Sequence, residues 1–150
     1  AALMPSKFLP VNNRITVKIT SVEDRAKVES ASRAEIPMYW GYKVNVEKSS
    51  FGKIVKDRGF DLIIATSKYG VPFADVTEEI AERWEKAETI LVAFGAPTQG
   101  LYEILKNEGL NLDDIVDFVV NAIPMQGTET VRTEEALIAS LTILNTHFRF

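Results

Sequence analysis

The chain contains no cysteine and a single histidine, His147. A disulfide framework and a thiolate metal site are thereby excluded, and no zinc site can rest on two imidazoles. Long apolar runs are also missing: Leu62-Ile63-Ile64-Ala65 and Ile90-Leu91-Val92-Ala93-Phe94 extend four and five residues, against the roughly 20 that a membrane span needs. The segment Ala1 to Leu9 has neither the basic start nor the apolar stretch of a secretory signal. The expectation is a cytoplasmic protein with no membrane and no metal. Positive charge is in deficit as well, with a net charge of −4, which argues against a protein that coats nucleic acid by displacing counterions with Lys and Arg.

What is present is the composition of one soluble domain, or of one domain and a fragment of another, with 46% hydrophobic and 25% charged residues among 150. The charge is uneven. Residues 1–35 hold six cations (Lys7, Arg14, Lys18, Arg25, Lys27, Arg33) against four anions, whereas the remainder holds 11 against 17. RNA contacts would fall at this basic end, although a solvated strand face explains the same charges. Arg14 to Thr20 alternates polar and β-branched apolar residues, the pattern of a half-buried antiparallel strand, and Ala26–Ser30 is placed to pair with it across Glu23-Asp24.

From about residue 36 the pattern changes to short apolar runs separated by helical periodicities, as in repeated β-α units. Strands are expected at Tyr42–Val46, Leu62–Thr66, Thr89–Phe94 and Val116–Asn121, and helices at Ser49–Arg58, Asp75–Lys86, Gln99–Asn107 and Thr133 to about Phe148. The continuous apolar character of three strands predicts a parallel sheet covered on both faces. Thr133 is a candidate N-cap for the last helix and Thr77 for the Glu78–Lys86 helix, while Leu137, Leu141 and Leu144 lie on a broad apolar face.

Ligands of open parallel sheets bind outside the carboxyl ends of the strands. Three segments occupy such positions: Thr66-Ser-Lys-Tyr-Gly70, Phe94-Gly-Ala-Pro-Thr-Gln-Gly100 and Asn121 to Arg132. The last is about twice the usual length of a β-α connection. It carries Asn121, Gln126, Thr128, Thr130 and Arg132, with Gly127 allowing close backbone approach. Those polar groups could face a ligand or could only satisfy the loop's own backbone. The second segment has glycines five apart and no Lys-Ser/Thr pair, which rejects a nucleoside triphosphate loop; Gly95 and Ala96 suit a backbone lying against a bulky ligand. His147 stands outside all three segments. Glu134 and Glu135 suit a helix start as well as acid-base work, and Tyr39, Trp40 and Tyr42 suit either packing or base stacking.

The sequence Asn121-Ala-Ile-Pro-Met-Gln-Gly-Thr-Glu-Thr-Val-Arg-Thr-Glu-Glu-Ala136, followed by an apolar helix, resembles the C-terminal signature of the archaeal and eukaryotic group of SPOUT-superfamily RNA methyltransferases. Tyr39-Trp-Gly-Tyr-Lys-Val44, Phe60-Asp-Leu-Ile-Ile-Ala-Thr-Ser67 and Val92-Ala-Phe-Gly-Ala-Pro-Thr-Gln-Gly-Leu101 agree with it. The resemblance implies an α/β fold: a parallel sheet with flanking helices and a C-terminal trefoil knot, preceded by a short partial β segment. Residues 1–35 would be the end of an inserted OB-like barrel, and 36–150 the cofactor-binding domain.

It also implies S-adenosyl-L-methionine as cofactor, RNA as substrate and a homodimer. The cofactor residues expected from it are Thr66, Ser67, Phe94, Gly95, Ala96, Gly100, Leu101, Asn121, Ile123, Gln126, Gly127, Thr128 and Thr130. Arg132 is the candidate to stabilise an anionic base and Glu134 the candidate base. At Tyr69 a basic residue is expected in relatives, a place that Lys68 could take. Two other readings remain beside this one: a non-catalytic fragment or RNA-associated protein that keeps the cofactor pocket, and an unrelated small-molecule enzyme. The latter needs a nucleophile and base, and the chain has neither cysteine nor a histidine in a loop.

Overall fold

A computed structural model describes residues 12, 15–23, 25–36, 38 and 41–148. Arg14, Tyr39 and Trp40 lie outside the described residues. The chain divides into two compact units, Ala1–Val46 and Glu47–Phe150.

In the first unit, β1 (Val17–Val22) pairs antiparallel with β2 (Ala26–Ser30), and the register slips between Ile19 and Ser21. The hairpin is the one expected, yet β1 is not half-buried. Ile15, Val17 and Ile19 are exposed, and among the described residues of this unit only Val28 is buried. Two strands alone supply no second layer for an apolar face to pack against. Tyr42–Val46 forms no strand either, although its residues alternate; Tyr42, Val44 and Val46 are exposed. Alternation specifies a strand only where a ladder partner is available.

The second unit runs α1 (Phe51–Arg58), β3 (Leu62–Pro72), α2 (Phe73–Trp84), β4 (Ile90–Ala93), α3 (Leu101–Asn107), β5 (Phe118–Asn121) and α4 (Thr133–His147), with a short 3-10 turn at Leu112–Asp114. The sheet order is β4-β3-β5 and both pairings are parallel. Leu62 and Ile64 point to one face, where Phe73, Ile80 and Trp84 of α2 pack with Val120, Leu144 and Phe148. Ala65 and Ala93 point to the other, against Leu101, Leu105 and Leu112. Burial on both faces is why these strands are apolar throughout. The chain passes from the centre strand to one edge and then across to the other, so the strand order switches at the carboxyl end of β3.

Several local expectations change. Thr77 does not cap a helix; it lies inside α2 and its hydroxyl donates to the Phe73 carbonyl at 2.8 Å. The helix begins instead behind Pro72, whose missing N–H costs nothing at a helix start. Arg132, not Thr133, is the N-cap of α4, and the Glu135 carboxylate accepts the Arg132 N–H at 3.2 Å. Glu108 reaches from the end of α3 to accept the N–H groups of Phe51 and Gly52 at 3.1 and 3.0 Å, satisfying the first donors of α1. On α4 only Ser140 and Leu144 are buried, while Leu137, Ile138 and Leu141 are exposed.

Candidate functional site

The carboxyl ends of the three parallel strands open into one cleft of about 370 Å³, inside the range of small-molecule sites. Its first wall comes from an interruption in β3. The strand pairs with β5 through Thr66↔Val120, leaves it, and returns with Val71↔Val120 and Pro72↔Asn121. Residues 67–70 are thus looped out, carrying Ser67, Lys68 and Tyr69 to the cleft. Gly70 closes the excursion because a Cβ there would lie 2.7 Å from the Val119 carbonyl oxygen. At its base, the Thr66 hydroxyl donates to the Ala93 carbonyl at 3.0 Å and ties β3 to β4.

The second wall is the glycine loop after β4. Its tip is a tight turn in which Ala96 N–H donates to the Gln99 carbonyl at 2.8 Å and Gln99 N–H to the Ala96 carbonyl at 3.3 Å. Gly95 lies against the inside of this turn: a Cβ would meet Gln99 O at 2.9 Å and Gly100 Cα at 3.1 Å. The glycine is required by the loop's own closure, rather than only by the approach of a ligand. Tyr102, on the first turn of α3, also lines the cleft and donates its hydroxyl to Asp113 at 2.9 Å. Burial, with the Asp113 carboxylate beside it, raises the phenol above its ordinary value and keeps it protonated.

The third wall is the segment from β5 to α4. Asn121 fastens two walls together, donating to the Lys68 carbonyl at 3.1 Å while its oxygen accepts the Ile123 N–H at 2.9 Å. The Gln126 amide donates to the carbonyls of Thr128 and Glu129 at 2.9 and 3.1 Å, and the Thr128 hydroxyl donates to the Thr130 carbonyl at 2.9 Å. Lys68 crosses from the first wall to donate to the Glu129 carbonyl at 3.2 Å. Three of the polar side chains that make this loop conspicuous in the sequence, Asn121, Gln126 and Thr128, are therefore engaged with loop backbone, and the loop they hold still forms the cleft.

Of the residues singled out from the sequence, Thr66, Ser67, Phe94, Gly95, Ala96, Gly100, Asn121, Ile123, Gln126 and Thr130 line the cleft together. Leu101, Gly127 and Thr128 do not; Leu101 is buried in the core under α3. Arg132 and Glu134 are exposed at the head of α4, beside the lining residues Val131 and Thr133 but not in the wall. Lys68 and Tyr69, in the strand-end segment 66–70, also line the cleft, and Tyr102 and Glu103 belong to it without having been singled out for it, as do Thr133, Ala136 and Ser140. The spacing of the last three, one helical face of α4, was available as a signal. Among the described residues, no group of His, Asp and Glu is arranged to hold a metal ion, and no helix is long and apolar enough to cross a membrane.

An open parallel sheet with a cleft between strand-terminal loops at its switch point defines an α/β protein whose cleft has the size and position of a small-molecule site. Over residues 2–144 the chain matches the family described as "Putative RNA methyltransferase", and it belongs to that family. A 28S rRNA (uridine-N(3))-methyltransferase of Drosophila melanogaster is 33% identical over 95% of this chain and 31% of its own length. The human protein of the same name is 33% identical over 92% of this chain and 39% of its own. An uncharacterized protein of Haloarcula marismortui is 36% identical over 87% and 47%. The chain spans less than half the length of each of these three relatives.

Proposed function

We propose that this chain is the cofactor-binding part of an S-adenosylmethionine-dependent RNA methyltransferase of the SPOUT superfamily, with residues 121–132 threaded as in a trefoil knot. The observation that carries the reading is the cleft, whose walls draw on three of the four segments that resemble that superfamily, Phe60–Ser67, Val92–Leu101 and Asn121–Ala136. The residues fit the cofactor. Gly100 lines the cleft and a Cβ there would meet nothing within 4 Å, and the partly buried Phe94 and Ile123 offer apolar surface to a purine. Bound there, S-adenosylmethionine supplies a methyl group already activated by its sulfonium charge.

The chain's own residues then bind, orient and manage a proton. Because Asn121, Gln126 and Thr128 are engaged in holding the loops, recognition of the ribose and the amino-acid portion rests mainly on loop backbone, on Thr130 and on the hydrogen of the Ser67 hydroxyl, whose oxygen accepts the Tyr69 N–H at 3.2 Å. The relatives' names specify the N3 position of a uridine in 28S rRNA, and the proposed acceptor is a pyrimidine ring nitrogen of a structured RNA. Loss of its proton to the Glu134 carboxylate, the candidate base, leaves an anion. Arg132, exposed at the rim, stabilises that anion. The exposed Leu137, Ile138 and Leu141 of α4 are the proposed contribution to a homodimer.

Calorimetric titration of the chain with S-adenosylmethionine and its demethylated product tests the reading. Binding of both is expected; binding of neither overturns it. A second reading, a cofactor-binding chain without RNA activity of its own, is favoured by the net charge of −4, which leaves little cationic surface for RNA. It predicts cofactor binding, RNA binding that falls steeply with salt, and methyl transfer that appears only when the chain is extended to the relatives' length.

A further inference from the structure

Ser140 is only 4% exposed, yet its hydroxyl oxygen has no hydrogen-bond partner among the described residues. Buried hydroxyls are ordinarily satisfied, because removal from water without compensation is unfavourable. In a helix a serine can bond the carbonyl one turn back, as Thr142 and Thr146 do on the same helix at 2.8 and 2.7 Å. Ser140 does not. It lines the cleft, at the end of the stripe Thr133, Ala136, Ser140 that α4 turns toward it. Ser140 also borders a second, much smaller apolar recess of about 10 Å³, bounded by Val92, Val120, Ile143 and Leu144 and sharing Thr66 and Ala122 with the cleft.

That setting selects the chemistry of a partner. A carboxylate or ammonium group would lose its hydration against an apolar recess with no charge of opposite sign in its lining. An uncharged heteroaromatic edge would lose little, and the hydroxyl can rotate to donate to it or accept from it. We propose that Ser140 is a ligand-recognition residue whose hydroxyl hydrogen-bonds the polar edge of the purine bound in this cleft. The inference rests on the cofactor reading above and adds to it which end of the ligand enters deepest: the base is inward and the charged amino-acid end lies toward the loops.

The test is calorimetry and thermal melting of the full chain and of Ser140→Ala, with S-adenosylmethionine, adenosine and methionine as ligands. Alanine preserves the helix. Without ligand, the loss of an unsatisfied hydroxyl raises Tm by about 2–4 °C. Affinity for S-adenosylmethionine and for adenosine falls together, by about five- to tenfold, and methionine responds identically in both proteins. Unchanged affinity for S-adenosylmethionine in the variant overturns the role of Ser140 while leaving the cofactor reading intact. A loss for S-adenosylmethionine without a loss for adenosine overturns the inward placement of the base. If the unaltered chain binds neither nucleoside ligand, the cofactor reading itself fails and this inference with it.

Discussion

Gly70 offers the most direct test of how the site is built. Replacing it with alanine adds one methyl group, and that methyl would lie 2.7 Å from both Val119 O and Val120 C, and 2.8 Å from Val119 C. All three atoms are backbone of β5, the strand paired with β3, so no flexible side chain can swing aside. The excursion 67–70 must lift from β5 or β5 must shift. Overpacking of this kind costs about 1–3 kcal/mol, which for a chain of this size lowers Tm by about 2–12 °C. The same displacement carries Ser67, Lys68 and Tyr69 away from the cleft, so ligand affinity falls as well. Gly100→Ala is the control for stability, since its Cβ would meet nothing within 4 Å and its change should stay within about 0.5 kcal/mol. Thermal melting of the two variants beside the parent reads the difference. Equal melting temperatures for Gly70→Ala and the parent would refute the argument that this glycine is needed to close the excursion.

Gly95→Ala should open the Ala96–Gln99 turn and weaken cofactor binding measured by titration, with the loss already present at alanine because the obstruction is the loop's own backbone. Leu105→Ala, at a fully buried position, should cost about 2–5 kcal/mol in chemical denaturation; a smaller cost would mean that this face of the sheet is less tightly packed than its burial implies. The Asp61 carboxyl is held below its ordinary value by the Thr89 hydroxyl and backbone N–H, with the Glu88 N–H adding to them. A carboxyl whose folded pKa is depressed stabilises above its unfolded pKa and loses that contribution as pH falls through the folded value. Melting of Asp61→Asn should therefore converge with the parent at acid pH and fall below it near neutrality. Arg132→Ala should leave S-adenosylmethionine affinity unchanged and reduce methyl transfer to RNA in a chain extended to the relatives' length; a fall in cofactor affinity would place Arg132 in the cofactor wall instead.

The parallel sheet is legible in the sequence because strands covered on both faces must be apolar throughout, and Leu62–Ala65, Ile90–Ala93 and Val119–Val120 are so. The three cleft-lining segments are legible because the ends of such strands are where small molecules bind. Ten of the thirteen cofactor residues expected from the family resemblance fall on one cleft. Other features depend on what meets what. Tyr42–Val46 alternates as a strand does, yet a ladder also needs a partner edge, and alternation carries no information about one. The return of β3 to Val120 after residues 67–70 is hidden because Ser67-Lys-Tyr-Gly70 reads as an ordinary polar turn. Its closure rests on a backbone contact with Val119 more than 40 positions away. Leu101 is apolar and borders a glycine loop, but which way it faces is decided by α3 packing on Ala65 and Ala93. Ser140 is obscured by the leucines and isoleucines around it on α4, since hydrophobic periodicity finds the face that packs and passes over a single hydroxyl. Periodicity records where each side chain is buried along its own element; the contacts that shape this cleft join residues from different elements, so only the folded chain could decide them.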